Sequence, residues 1–436
     1  MCPATPAAEW TVGAGGTHAR IEEAVGAAAP GDVILVHPQA GNQAYQKVAL
    51  AVNTPRLTIK AAGGAGERIP LNGAGGDYSG RGPVPRAIVQ FNPGADGCVL
   101  EGFELLGAHN ESHNGAGVRI NQADDVTIRS CAIHHNDMGI MSNGDAAQGA
   151  AGNQLIENCL VHHNGDPQEP GQNHNLYLGG TGVVLRGCEV HSSLTGHNVK
   201  SRAHRTLVTA CYIHDSANRE FDLVDGEGDT TGPGSDAVLA GNIIVKDPDC
   251  PGNRAVIHFG QDGGHEHDGT LYLVHNTIVT PFVSPVVQLS APKARAQLFN
   301  NIVWDGGRLR NGQVLVSADK GTVRGDGNWL SSGFTGPALD ALALSRTVSG
   351  GPGAVNPFAD ARNGNYHLAG SDPQLVDHGC ALPADALQAL NGVLLEYKPP
   401  QGSVPRPANG KPDPGALEWR SKPPSAADTP TTVPAE

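Results

Sequence analysis

From Cys98 onward the chain repeats one pattern: CVLEGFELLG, VTIRSCAIHHN, LIENCLVHHN, VVLRGCEVHSS, LVTACYIHDS, VLAGNIIVKD, LYLVHNTIVT and QLFNNIVWD. Setting Phe103, Cys131, Cys159, Cys188, Cys211, Asn242, Asn276 and Asn301 in register gives spacings of 28, 28, 29, 23, 31, 34 and 25 residues. A period of that size, with a β-branched strand in each unit, predicts a solenoid with one coil per repeat. The units alternate apolar and polar residues with period two and are rich in Gly, Asn and Asp, which excludes a helical solenoid. Each unit also carries a second strand, in the segments that start at Gly117, Gly139, Asn175, Asn198, Phe221, Ala255 and Pro285. Two or three strands per coil, stacked in parallel and joined by loops of unequal length, make an all-β, single-stranded right-handed parallel β-helix.

The rest of the chain is ordered around that stack. Residues 1–7 read as an N-terminal extension and 8–305 as the β-helix. An Ala-rich helical turn from Arg20 to Ala29 serves as the cap that hides the first open sheet edge. Strands are expected at Val33–Val36, Gln46–Ala51 and Leu57–Ala61. Residues 306–420 lose the period and become Gly- and Pro-rich, as final coils followed by an irregular C-terminal wrap over the open end. The polar, Pro-rich 421–436 reads as a disordered tail.

Composition narrows the function. Aromatic residues make up only 4% of the 436 while Gly reaches 59, which suits a turn-rich β fold. The formal net charge of -14 argues against nucleic acid or an anionic membrane surface as the main partner. No run of about 18 apolar residues exists, so no membrane span is expected. The opening MCPATPAAEW lacks a signal peptide's charged and apolar regions; we read it as starting after a removed signal, in a secreted or periplasmic protein with Cys2 a candidate lipidation site.

In register, Cys131, Cys159, Cys188 and Cys211 form an inward ladder of small buried hydrophobes, continued by Asn242, Asn276 and Asn301. The pairs His134-His135 and His162-His163 fall at one place in two successive repeats. A stacked row at a turn offers a line of ligands rather than the convergence zinc needs, so these are expected to be structural.

The segment 172–227 departs from scaffold. By strand alternation, Leu176, Leu178, Val199, Ser201, Phe221 and Leu223 point inward. Asn175, Tyr177, Asn198, Lys200, Arg202 and Asp222 then point outward, with His258 the contribution of the following coil. His174 and His197 fall on the inward phase as corner or core residues. Lys200 and Arg202, with Arg205 and Arg219 nearby, predict an anionic ligand on a chain that is otherwise acidic. The chemistry that fits is β-elimination on a uronic-acid polysaccharide or oligosaccharide, which needs the carboxylate neutralised, the adjacent proton removed and the leaving oxygen protonated. Lys200 is the expected base, with Arg202 about 7 Å along the same face supplying a neighbouring cation. Tyr177 is the expected proton donor, and Asn175, Asn198, Arg205, Arg219 and His258 the substrate contacts. Asp222 with Asp225 and Glu227 is the expected Ca²⁺ site.

With these segments in place the chain resembles the pectate-lyase-like β-helix superfamily over about residues 8–420, including the late NYHLAGSDPQLVDHG and DPGALEW. GHNVKSRAH is similar to the VKS-containing strand of the chondroitinase B and alginate lyase family. That resemblance implies a lysine base, an assisting arginine on the next coil and Ca²⁺ on the carboxylate. The position expected in line with Lys200 on the next coil is Val224, so Arg202 or Arg219 must stand in for the arginine. Two other classes remain open: a glycoside hydrolase using Asp222, Asp225, Glu227 and Asp229, and a non-catalytic carbohydrate-binding solenoid.

Overall fold

One bend of each coil is made by a left-handed residue at a repeating position. In the computed structural model Gly102, Ser130, Asn158, Gly187, Ala210, Gly241, His275, Asn300 and Gly327 all have φ between 51° and 85°. Each immediately precedes a residue of the inward Phe/Cys/Asn row. A single residue at positive φ turns the chain sharply between two strands, a conformation Asn and Gly adopt most readily. The structure describes residues 7–420 apart from 65, 143–149, 170–172, 225–234, 263–267, 282–284, 308–311, 319–320, 335–338, 340, 350–355 and 373.

Two units are distinguished, 1–184 with 192–196, and 185–191 with 197–436. In the first unit each coil from Val33–Val36 onward contributes a strand to each of three parallel sheets. One sheet runs Glu9–Val12, Val33–Val36, Thr58–Ala61, Val99–Glu101, Thr127–Arg129, Gln154–Glu157. A second runs Leu50–Val52, Ala87–Phe91, Ala116–Ile120, Met138–Ser142, Leu176–Leu178. The third starts at Tyr45–Gln46 and ends at Leu160–His162. The strand expected over 46–51 is therefore broken, its halves serving different sheets. The helix Ile21–Ala27 buries Ile21, Ala24 and Val25 and caps the coils.

The second unit repeats the plan. Val199–Ser201, Phe221–Val224, Ile257–Gly260, Val287–Leu289 and Val316–Ala318 form the sheet that carries the polar face. Arg205–Thr209 begins a second sheet and Glu189–His191 a third, and both continue in parallel to Ala343–Ser345 and Val348–Ser349. Beyond them the chain folds back as two antiparallel hairpins and the helix Ala384–Ala389. This wrap lies along the sides of the coils: Phe358, Tyr366 and Tyr397 pack with Tyr212, Ile243 and Trp304, and Ala386, Ala389 and Leu390 with Val238, Tyr272 and Phe299.

The inward row explains why Cys gives way to Asn. The Cys188 N–H donates to Cys211 Sγ at 3.4 Å, and the Cys211 N–H donates to Asn242 Oδ1 at 2.9 Å. Asn242, Asn276, Asn301 and Asn328 then continue the row, each side-chain amide donating to the next Oδ1 at 2.9–3.0 Å. A side-chain amide satisfies backbone groups that a bend would otherwise leave unpaired. Among the described residues seven cysteines are buried as thiols.

Candidate functional site

The outward row of the second unit's polar sheet reads Lys200, Asp222, His258, Gln288 on four consecutive rungs. The partner of Lys200 on the next coil is thus Asp222 and not Val224, which is buried opposite Gly260. The reason is packing: inward Phe221 stacks on inward Val199, which sets the register for the whole strand.

Asp222 is the centre of this row and is 2% exposed. Its Oδ2 lies 3.1 Å from Lys200 Nζ and 3.5 Å from His197 Nε2. Its Oδ1 accepts from Arg219 Nη1 at 2.8 Å and meets His258 Nδ1 at 2.8 Å. Burial alone would push this carboxyl up, but the His258 hydrogen bond and the surrounding charges hold it well below the usual carboxylate range. His197 is buried too, and burial outweighs the attraction of Asp222 to lower its pKa to about 4. His197 Nδ1 accepts the Arg219 backbone N–H at 3.2 Å, which leaves the proton of the neutral ring on Nε2, facing Asp222.

A second carboxylate closes the outer side. Asp262 Oδ2 receives Lys200 Nζ at 2.8 Å and Arg202 Nη2 at 2.5 Å, and its side chain is 43% exposed. The hydrogen bond from Lys200 is the main reason its carboxyl lies below the ordinary value. The neighbours within 3.1 Å of Lys200 Nζ are therefore carboxylates, where the sequence pattern led us to expect a guanidinium. Arg219 reaches Gln288 Oε1 at 3.2 Å, and its Nε is buried without a hydrogen-bond partner among the described residues.

Other expected site residues fall elsewhere. Asn175 and Asn198 are not outward but fully buried. They precede their strands at a bend, where the two-residue alternation does not yet hold. Asn175 Oδ1 accepts from Asn164 at 2.9 Å, and Asn198 Nδ2 donates to Glu220 at 2.6 Å and to the His214 carbonyl at 2.7 Å. Arg205 opens a strand of a different sheet and is exposed there. Tyr177 belongs to the first unit, its ring 5.5 Å from His174, and packs with Met141 beside Ala87, Ala116 and Met138. Asp225, Glu227 and Asp229 lie outside the described residues. Asp262, Gln288 and Ser290 were not singled out from the sequence; carrying the alternation one coil further, through PVVQLS, selects Gln288.

Two groups bear on metal binding. Asp222 does not fit Ca²⁺: its oxygens already face two cationic side chains and two imidazoles, not the shell of oxygen ligands that calcium requires. Glu189, His191 and His214 place three ligand atoms within 4.8 Å of one another. Burial would lower the His214 pKa, but hydrogen bonds to Asp215 at 2.7 Å and Glu189 at 3.4 Å raise it to about 9. His214, partly buried, is thus held as an imidazolium between two carboxylates.

The histidine pairs of the first unit stack along the coils. His134 lies on His162 at 4.7 Å and His135 on His163 at 5.6 Å.

No family model and no curated protein matches this chain. Among solved structures it is similar to the pectate lyase Pel9A, with a TM-score of 0.54 and 14% identity over 96% of this chain and 97% of that one. Weaker matches include a pectin methylesterase from carrot (TM-score 0.35, 14% identity, 80% of this chain and 90% of that chain) and one from Aspergillus niger (0.33, 13%, 81% and 93%). What this chain shares with the pectate lyase is its fold, the right-handed parallel β-helix.

Proposed function

We propose that this protein is a secreted carbohydrate-active enzyme that cleaves a uronate-bearing polysaccharide by β-elimination on the outer face of the second unit. The observation that carries this reading is the convergence of Lys200 and Arg202 on a single oxygen of the partly exposed Asp262. Asp262 occupies the place that a substrate carboxylate would take, and its 43% exposure gives it a way out into solvent. Arg202 then holds the uronate. Lys200, released from one of its two carboxylates, gives its own proton to water, and as the neutral amine it takes the proton next to the uronate carboxyl and returns it to the leaving oxygen. Asp222 orients Lys200 throughout. No step runs through calcium.

The test is incubation with alginate, pectate and chondroitin, following the ultraviolet absorbance of the unsaturated product. New reducing ends without that absorbance would point to hydrolysis, and neither signal to binding alone. Full elimination by Lys200→Ala would remove Lys200 as the base.

A further inference from the structure

Beyond Lys200, the row continues into a second hydrogen-bonded chain. His258 Nδ1 meets Asp222 Oδ1 at 2.8 Å, and His258 Nε2 meets Ser290 Oγ at 2.7 Å. The proton positions follow from the partners. The Gln261 backbone N–H donates to the same Ser290 Oγ at 2.7 Å, so a lone pair of that oxygen is taken and its own hydrogen is directed at Nε2. The ionised Asp222 can only accept, so Nδ1 of His258 carries the ring proton. Asp222 and His258 are buried, while Ser290 at the end of the row is partly exposed.

The backbone is shaped for this contact. Gly260 has φ +151°, and a Cβ there would lie 2.3 Å from Ser290 Oγ and 2.8 Å from the Ala291 nitrogen. Only glycine lets the chain bring Gln261 N–H against the serine oxygen.

We propose that Asp222, His258 and Ser290 act as an acyl-transfer triad, so that this protein also hydrolyses carboxylic esters carried by its polysaccharide. The geometry meets the requirements for an activated serine: nucleophile to base, base to buried carboxylate, both within hydrogen-bond reach. Ser290 Oγ bonds to the ester carbonyl carbon while its proton passes to His258 Nε2. The carbon–oxygen bond to the alcohol breaks, and the same proton goes to the leaving alkoxide. Water then adds to the acyl-serine, giving its proton to His258, and the acid leaves as Ser290 is restored. The sum is ester plus water to acid plus alcohol, with no change of oxidation state. The Gln261 N–H holds Ser290 Oγ in place, while the negative charge of the tetrahedral intermediate develops on the ester carbonyl oxygen. Asp222 is shared with the elimination reading, but the two activities leave different products.

The experiment treats the full chain with a fluorophosphonate probe, maps the labelled residue by mass spectrometry, and measures acid released from p-nitrophenyl acetate and from acetylated uronan. The expected result is labelling at Ser290 and a loss of ester hydrolysis of about 10²–10⁴-fold in both Ser290→Ala and His258→Gln. Thermal unfolding of both variants near the parent temperature shows that the loss is chemical. Absence of label in the parent, label at another residue, or undiminished hydrolysis by Ser290→Ala would overturn the proposal. Unsaturated product from de-esterified uronan is scored separately on the parent protein, so failure of one reading is distinguishable from failure of the other.

Discussion

Asp222 and Lys200 are register partners on adjacent coils, with Oδ2 and Nζ 3.1 Å apart and Asp222 buried beneath the lysine. The pair joins two chemistries, since the lysine side leads to Asp262 and Arg202 and the other carboxylate oxygen to Arg219 and His258.

Removing Asp222 takes the carboxylate from Arg219 and leaves Lys200 with Asp262 alone. Asp222→Ala leaves Lys200 and Arg219, both with little exposure, short of their counter-charge, and we expect a loss of about 3–5 kcal/mol in urea unfolding. Asp262→Asn touches an exposed carboxylate and should cost no more than about 1 kcal/mol. The two variants therefore separate a structural carboxylate from a displaceable one.

Elimination should respond in a graded way. Lys200→Ala is expected to lower kcat by about 10²–10⁴-fold, the range of a lost acid–base group. Arg202→Ala should act mainly through KM, because it contacts the carboxylate and not the proton in flight. Asp262→Asn should lower KM, since the substrate carboxylate no longer competes with an internal one. Initial rates across uronan concentrations measure all three.

Stability should vary with pH through two histidines of opposite sign. His197 titrates at about 4 in the fold against an ordinary 6.5, so between those values the unfolded chain binds a proton that the fold refuses, and stability falls as pH falls. His214 is raised to about 9 from 6.5, so its contribution is complete below 6.5 and lost as pH rises through about 9. Denaturation midpoints should show a weaker acid limb in His197→Gln and a weaker alkaline limb in His214→Gln.

The asparagine row should be costlier to break than the cysteine row. Asn276→Ala leaves the amide of Asn242 and the Leu239 carbonyl short of partners, at about 1–3 kcal/mol for each buried group left unpaired. Cys159→Ala removes one sulfur from an apolar wall and should cost less. Thermal unfolding of the two variants gives the comparison.

Lys200, Asp222 and His258 were legible as one outward row because alternation within a strand is local and has a fixed period. Asn175 and Asn198 were misplaced because they stand at bends, where side-chain direction depends on the turn and not on strand phase. His197 shows the same limit from the other side, for it is buried as its phase required and yet faces Asp222 through its ring.

The repeat of strands, bends and inward Cys and Asn residues determined the coil architecture by itself, because each coil must bury the same face against the next. Tertiary structure alone decided which rung opposes which, and so replaced Val224 with Asp222 beside Lys200. It also brought Asp262 and Ser290, 62 and 90 residues along the chain from Lys200, onto the same face. Loop lengths between coils are unequal, and only the stacking of Phe221 on Val199 sets the register that turns these distant residues into one site.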